Sequence, residues 1–404
     1  MAAVSYDVVR EILVRLKDVT TLFRCAMVCK GWCSLLVSDD SFLRRCLPVP
    51  EKPCGSPPFA GFVTKLRSAP CFVPVPRSVL GPGLRVFSSC FFPSAHRAGF
   101  FDNAVPLTSR HGLLLVRLDS DRRGVLLAVC DPLAGMVHEL PRLDHYWDFE
   151  NPSAVGGYAL LTDADCSSSN GDGLHQHTRF FKVLMLTVEK SRVHYTLHAF
   201  SSADESPGWI TRSGVVKDEE STVLRQHNAV VCDGAAHWLL WGMDGVHTLN
   251  VSCKTGHVSL TKMMGVQLRL RLHYFRDHAD DHPYLTIDGE GKLMELTLQR
   301  DGRELEIWTS HNKYRRSFQA SPLKLKYLDL HEKGDDYVYT FLGEKHGMIL
   351  VKDNHRRVYV ANLKTGVMHE VKDWPRSNGL SRRKTVPLEI DWPGLFVSQL
   401  AFAA

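Results

Sequence analysis

The chain has 404 residues, 44% apolar and 23% charged, which is the balance of a globular protein with material for a large core and for more than one domain. Its net charge of +5 is mild for that length. The basic residues come as scattered pairs, such as Arg122-Arg123 and Arg356-Arg357, with the densest patch at Arg382-Arg383-Lys384, which argues against a nucleic-acid or membrane-surface protein.

The first stretch, Val4 to Cys46, reads as helical. Val8, Val9, Ile12, Leu13 and Leu16 fill an arc of roughly 140° on a helix turning about 100° per residue, with Arg10, Glu11 and Arg15 outside it. Ser5 is placed as its N-cap, and Asp7 lies in the first turn, where the peptide dipoles favour a carboxylate. Asp18 punctuates a second helical start. Leu22, Phe23, Ala26, Met27 and Val28 then recur until Gly31 interrupts, and Trp32, Leu35 and Leu36 carry the pattern onward. Asp39 or Asp40 is placed to cap a last turn through Phe42 and Leu43. Three or four short helices in about 45 residues make a core too small to hide this apolar surface, so part of it is expected to meet a partner.

In their order these residues resemble the F-box. The match runs through Asp7, Ile12-Leu13-Val14-Arg15-Leu16, Leu22 to Arg24, Val28-Cys29-Lys30, Trp32, and Asp40 to Arg45. Val4-Ser5 stand where the family usually opens Leu-Pro, and Lys17 stands where a proline commonly follows the first helix. The resemblance implies docking on a Skp-type adaptor, and through it on a cullin. The residues implied are Val4, Val8, Ile12, Leu13, Leu16, Leu22, Val28, Cys29 and Trp32, divided between the module's own core and the adaptor groove.

The chain opens without the uninterrupted apolar run of a signal peptide, and no window offers the roughly 18 apolar residues of a membrane span. Eleven cysteines form no regular framework and are expected to be reduced thiols. A soluble protein of the cytoplasm or nucleus is the expectation.

Pro48, Pro50, Pro53, Pro57 and Pro58, with Gly55 and Ser56, favour extended backbone. The division expected is a helical module at 1–48, a Pro-rich linker at 49–58 and a β domain at 59–404. After Phe59 the apolar pattern becomes that of short strands, as at 113–116, 125–130, 180–187, 194–200 and 358–362, separated by turn residues.

Three segments repeat one another loosely: His111-Gly112 to Gly135, Val231 to Gly256, and Lys345 to Gly366. Each is a Gly-flanked apolar strand, a hairpin, a second strand and a polar turn ending in Gly. A period of roughly 40 to 50 residues built from short strands is that of a β-propeller blade. The fold class expected is therefore a small all-α module followed by a large all-β domain, a propeller of six or seven blades. Cuts near residues 59, 100, 144, 210, 257 and 320 give six. A pair of β-sandwiches is the alternative. The segments HGLLLV, AHWLL and VKDNHRRVYVANLKTG also resemble the β-rich domain found behind the F-box in many plant proteins. Thr162 to His177 is polar, Ser/Gly-rich and without period, and reads as a mobile loop between strands.

Catalytic constellations are missing from the sequence: there is no Gly-x-Ser-x-Gly elbow, no His-Glu-x-x-His and no P-loop. Asp288 to Lys292 reads as a hairpin turn. Cys25, Cys29 and Cys33 sit four apart but lack a fourth ligand, and His175, His177, His273, His278 and His282 lack carboxylates or cysteines at fixed offsets, so no metal and no cofactor is expected. His237-Trp238 sits in an apolar strand, where packing with one satisfied ring nitrogen is expected. Among the tryptophans Trp147, Trp209, Trp241, Trp308, Trp374 and Trp392, most are expected to wedge between blades. His145-Tyr146-Trp147 is the candidate substrate-binding surface.

The resemblance thus implies a non-catalytic substrate receptor of a Skp-cullin-F-box ubiquitin ligase, whose β domain captures an unknown protein. Two alternatives stay open: a propeller that binds a sugar or metal or acts as an enzyme, and an F-box scaffold that promotes no degradation.

Overall fold

The computed structural model describes residues 5–16, 22, 25, 30–37, 59–66, 69–74, 85–92, 99–121, 124–132, 134–143, 154–166, 180–189, 194–204, 208–215, 223–224, 228–242, 245–262, 284–287, 292–301, 304–311, 323–325, 339–345, 347–353, 355–362, 367–371 and 385–390. The Pro-rich stretch 49–58, most of the run 17–29, and the residues Asp39 to Leu43 lie outside them.

Helix α1 is Tyr6–Arg15. Ser5 caps it as expected, its hydroxyl accepting the Asp7 N–H at 3.4 Å. Leu16 is not helical: it is the C-cap, with extended φ and ψ, and its N–H turns back to the Leu13 carbonyl. The helix therefore stops before Lys17 without a proline. Helix α2 is Lys30–Val37, so Gly31 lies inside a first helical turn. No described helix is long and apolar enough to cross a membrane.

Among the described residues the strands form six antiparallel sheets. The first holds β1 (Phe59–Leu66), β2 (Ala69–Pro74) and β3 (Arg85–Val86), followed by the short helix α3 (Phe87–Phe91). In the second, β4 (Val105–Arg110), β5 (Leu113–Asp121), β6 (Gly124–Asp131) and β7 (Met136–Glu139) pair in chain order. β8 (Ala154–Thr162) begins the third and leads into a single helical turn, α4 (Asp163–Cys166); β9 (Phe181–Glu189), β10 (His194–Ser201) and β11 (Ile210–Val215) complete it. The fourth sheet has a divided inner strand, β12 (Val223–Leu224) and β13 (Val230–Cys232), both paired with β14 (Ala235–Gly242), then β15 (Gly245–Ser252) and β16 (Val258–Lys262). In the fifth lie β17 (Tyr284–Ile287), β18 (Leu293–Asp301), β19 (Glu304–His311) and β20 (Leu323–Leu325). The sixth comprises β21 (Tyr339–Lys345), β22 (Met348–Asp353), β23 (Val358–Asn362) and β24 (Met368–Glu370). Finally β25 (Thr385–Glu389) returns to the first sheet and pairs with β1, Val63 opposite Val386.

Because the second sheet is covered on both faces, by the first and the third, its strand β6, GVLLAVCD, is buried on both sides rather than alternately. Successive side chains still point to opposite faces. On β5, Leu114 and Val116 pack against Val63, Phe72 and Val386 of the first sheet. Leu113 and Leu115 pack the other way, against Tyr158, Leu160 and Val183 of the third. Trp238, Leu240 and Leu249 meet Leu184, Leu186 and Leu197 between the third and fourth sheets. Leu239 meets Leu285 between fourth and fifth. Tyr284 of the fifth stacks on Phe341 of the sixth with centroids 4.1 Å apart. Leu342, Leu350 and Val360 then return to Phe62 and Val73 of the first. Each sheet packs on the next and the last on the first, which is a propeller-like arrangement rather than a pair of sandwiches.

The three repeating segments prove equivalent: each supplies the second and third strands of a sheet. Tight turns lead into them, His111-Gly112 with φ of 47° and 87°, and Asp233-Gly234 with 49° and 71°. Such positive angles suit the two-residue hairpin turn that matches strand twist. The polar turns that close them recur too, Asp131 accepting the Ala134 N–H and Ser252 the Thr255 N–H. The cuts drawn from sequence near 210, 257 and 320 do not fall between sheets. They fall at the start of β11, in the turn from β15 to β16, and between β19 and β20, which pair with each other, because polar turns occur within a sheet as well as between sheets. Of the turn read at Asp288 to Lys292, residues 288–291 lie outside the described residues; the flanking strands β17 and β18 pair antiparallel, with Ile287 opposite Leu293.

Candidate functional site

On α1 the expected apolar arc splits in two. Val9 and Leu13, one turn apart, are buried, whereas Val8 and Ile12, also one turn apart, are 50% and 45% exposed. Leu22 and Leu36 are fully buried. Leu13 and Leu22 therefore fall on the core side of the division expected between the module's own core and the adaptor groove. Leu16 and Trp32 are half-buried. Val4, Val28 and Cys29 lie outside the described residues. The i,i+4 pair Glu11 and Arg15 lies on the wet side of the helix, 3.2 Å apart.

The second candidate is the mouth of a central channel. The innermost strands β4, β8, β13, β17, β21 and β25 surround a cavity of about 120 Å³, lined by Ser109, Leu160, Val230, Thr286, Gly343 and Val386, one from each. Where these strands end, charged groups gather. Arg110, the last residue of β4, donates to Asp165 of α4 from Nη2 at 2.6 Å and from Nε at 3.2 Å. The other Asp165 oxygen accepts the Thr162 N–H at 3.0 Å and its hydroxyl at 3.2 Å. With that hydroxyl proton engaged, the His111 Nδ1–H donates to Thr162 Oγ1 at 2.7 Å. The His111 backbone N–H donates to Glu389 at 3.2 Å, and Lys345 lies 3.4 Å from the same carboxylate. Glu344 accepts the Gly347 N–H at 2.8 Å and the Thr286 hydroxyl.

Burial pushes the Asp165 carboxyl up, but the hydrogen bonds and charge of Arg110, the Thr162 N–H and nearby His111 together hold it below the usual carboxylate range. Burial and the Arg110 charge hold the His111 ring below the usual imidazole value, against the pull of Asp165 and Glu389. The mouth is thus a mutually satisfied network. Arg110, Asp165, Lys345 and Glu389 were missed from sequence. The signal that points to two of them is the recurrence Arg110-His111-Gly112 and Lys345-His346-Gly347 at the ends of inner strands.

Other sequence candidates fall as follows. Trp238 is fully buried between sheets, and Trp209 packs beside Phe200 with its ring N–H on the Pro141 carbonyl at 2.8 Å. His237 has partners on both ring nitrogens, Asn250 at 2.7 Å and the Cys232 carbonyl at 3.3 Å, one more than expected. His145, Tyr146, Trp147 and the histidines of 175–177 and 273–282 lie outside the described residues. Among the described residues no group of His, Cys, Asp or Glu could hold a metal ion. Burial raises the thiols of Cys71 and Cys166 and pushes that of Cys253 up to about 12, so none supplies a thiolate nucleophile near neutral pH.

No curated protein matches the chain. Among solved structures it is similar to TolB from Acinetobacter baumannii, with 8% identity, a TM-score of 0.42 and coverage of 81% of this chain and 66% of TolB. It is also similar to puromycin hydrolase, with 12% identity, a TM-score of 0.35 and coverage of 81% of this chain and 47% of the hydrolase. The chain thus spans about two thirds and about half of their lengths. At its N-terminus residues 4–44 match the family model of the F-box domain, so the helical stretch is an F-box domain standing before a large propeller-like β domain.

Proposed function

We propose that this protein is the substrate-receptor subunit of a Skp-cullin-F-box ubiquitin ligase. F-box domains bind Skp1-type adaptors, which link to a cullin, and the F-box match at 4–44 suggests that role here. In this reading residues 1–48 dock on the adaptor, 49–58 link, and 59–404 hold the target protein. On the same reading the β part is of the F-box-associated kind known from plants, with each sheet seen among the described residues taken as one blade. The chain transfers no ubiquitin itself, and it works in the cytoplasm or nucleus.

The observation that carries the reading is the pairing of that match with the exposed Val8 and Ile12 on α1, beside the buried Val9 and Leu13. Two aliphatic side chains held in water on a helix whose adjoining stripe is already packed are what an adaptor groove would cover. A charge buried there without a partner costs several kcal/mol. Ile12→Asp, exposed in the free chain, should leave thermal unfolding unchanged and abolish co-purification of the adaptor. Adaptor retained at the wild-type level sinks the assignment. The channel mouth favours no enzyme reading, since its charged groups are turned on one another.

A further inference from the structure

The outermost strand of the third sheet differs from its counterparts. β11 has six residues, the longest outermost strand, and its free edge has no paired strand among the described residues. Natural sheets blunt such edges with charge, proline or short length. Here Ile210 and Val215 stand 53% and 54% exposed at its two ends. Gly214 is bare because a Cβ there would meet the Tyr195 hydroxyl at 2.7 Å.

Beside this edge, between the third and fourth sheets, runs a groove of about 440 Å³, within the size of ligand-binding clefts at about 300–1,000 Å³. Its floor is apolar, with Leu184, Leu197, Ala199 and Phe200. Three cations rim it: Lys182 on β9, Arg212 on β11 and Lys254 in the turn after β15, against one carboxylate, Asp204. Lys182 and Lys254 have no ion-pair partner among the described residues, and Arg212 only donates to the Thr255 carbonyl at 3.3 Å. This differs from the channel mouth, where every cation has its carboxylate. The groove opens at the same end of the β domain, since β8 and β10 end there and β9 and β11 begin.

We infer that this groove, with the free edge of β11, takes an extended acidic peptide segment of the captured protein, added as a further strand. The inference rests on the substrate-receptor reading and names the chemistry of its substrate. Main-chain hydrogen bonds to β11 supply affinity, an apolar side chain covers Ile210 and Ala199, and carboxylates meet Lys182, Arg212 and Lys254. The apolar floor and the strand edge favour a peptide over a nucleic acid, which would need a concentrated positive field.

The test uses the full chain and a fluorescein-labelled decapeptide of alternating glutamate and leucine, read by fluorescence polarisation. The expected result is saturable binding that weakens at least tenfold for Lys182→Glu with Lys254→Glu, and likewise for Arg212→Glu. On the wild-type protein, the same peptide N-methylated on alternate residues should bind at least tenfold more weakly. No binding, equal binding by the charge-reversed proteins, or equal binding of the N-methylated peptide overturns the inference. So does displacement by decauridine at equal concentration, which marks a nucleic-acid surface. Ile12→Asp should leave peptide affinity unchanged. Failure of the peptide with the adaptor still captured removes the groove alone. Failure of adaptor capture with the peptide still bound removes the receptor reading, and with it the peptide's origin in a captured substrate, but not the groove's chemistry.

Discussion

His111 ties together strands far apart in the chain. Its ring reaches Thr162 at the end of β8 while its backbone N–H reaches Glu389 at the end of β25, so one residue joins the second, third and first sheets. Arg110, Asp165, Glu389 and Lys345 surround the ring. Because its folded pKa is depressed, the unfolded chain binds the extra proton first, and the stability tied to the neutral ring is present above about 6.5 and lost as pH falls from there through the lower folded value. His111→Asn keeps a residue that tolerates the left-handed φ of 47°. Its denaturation midpoint should fall less than that of the wild type between pH 7 and 5; parallel curves would show that this histidine contributes no such dependence. Asp165 works in a lower window. Its depressed carboxyl contributes stability above about 3.9 that disappears only in stronger acid. Arg110→Ala leaves that mostly buried carboxylate without its cation, which should cost about 3 kcal/mol at neutral pH and, by raising its folded pKa, leave the variant with less stability to lose in acid than the wild type. Urea titrations at neutral pH and at a pH well below the usual carboxylate range read both effects, and an unchanged acid limb contradicts the assignment.

At the level of elements, the ring closes through β25 on β1. Thr64 and Thr385, 321 positions apart, share a hydrogen bond of 3.0 Å inside that pair. Next to it the register shifts between Phe59 and Gly61, and Gly61 lies so close beneath β2 that a Cβ would overlap the Val73 carbonyl oxygen and approach Pro74 Cα to 2.9 Å. Those are backbone atoms, which cannot swing aside. Gly61→Ala should therefore force the two strands apart and cost about 1–3 kcal/mol, read as a lower denaturation midpoint of the β domain. An unchanged midpoint would place the bulge where it can relax. The strands themselves were legible, since β5, β6, β9, β10 and β23 carry continuous apolar runs between turn residues. Where the sheets divide was not, because Gly135 and Gly256 close turns inside a sheet that look like boundaries. β25 was also hidden: TVPLE is short and its partner lies at the other end of the chain. Contacts of such sequence separation leave no local pattern, and the same holds for Asp165 and Glu389 at the channel mouth.

In the whole molecule the two parts are built on different principles. The helical module was legible from its first residues, because a helix records its neighbours at i+3 and i+4. Yet the sorting of Val8 and Ile12 outward from Val9 and Leu13 inward needed the structure, since all four lie on one arc. The β domain is held by contacts that run from sheet to sheet around a closed circuit, so removing any one sheet exposes two apolar faces. Such a circuit is expected to unfold as a unit. Among the described residues, α1 and α2 pack extensively on no strand. Their removal therefore opens no face of the circuit. A chain lacking residues 1–48 should keep the thermal midpoint and the β-type circular dichroism of the larger part, and should lose the adaptor entirely. Binding of the acidic decapeptide should survive the deletion with unchanged affinity, because Lys182, Arg212 and Lys254 all lie on the third and fourth sheets. A midpoint lowered by several degrees would instead show that the F-box helices cover part of the β domain, and that Val8 and Ile12 face a surface within the chain.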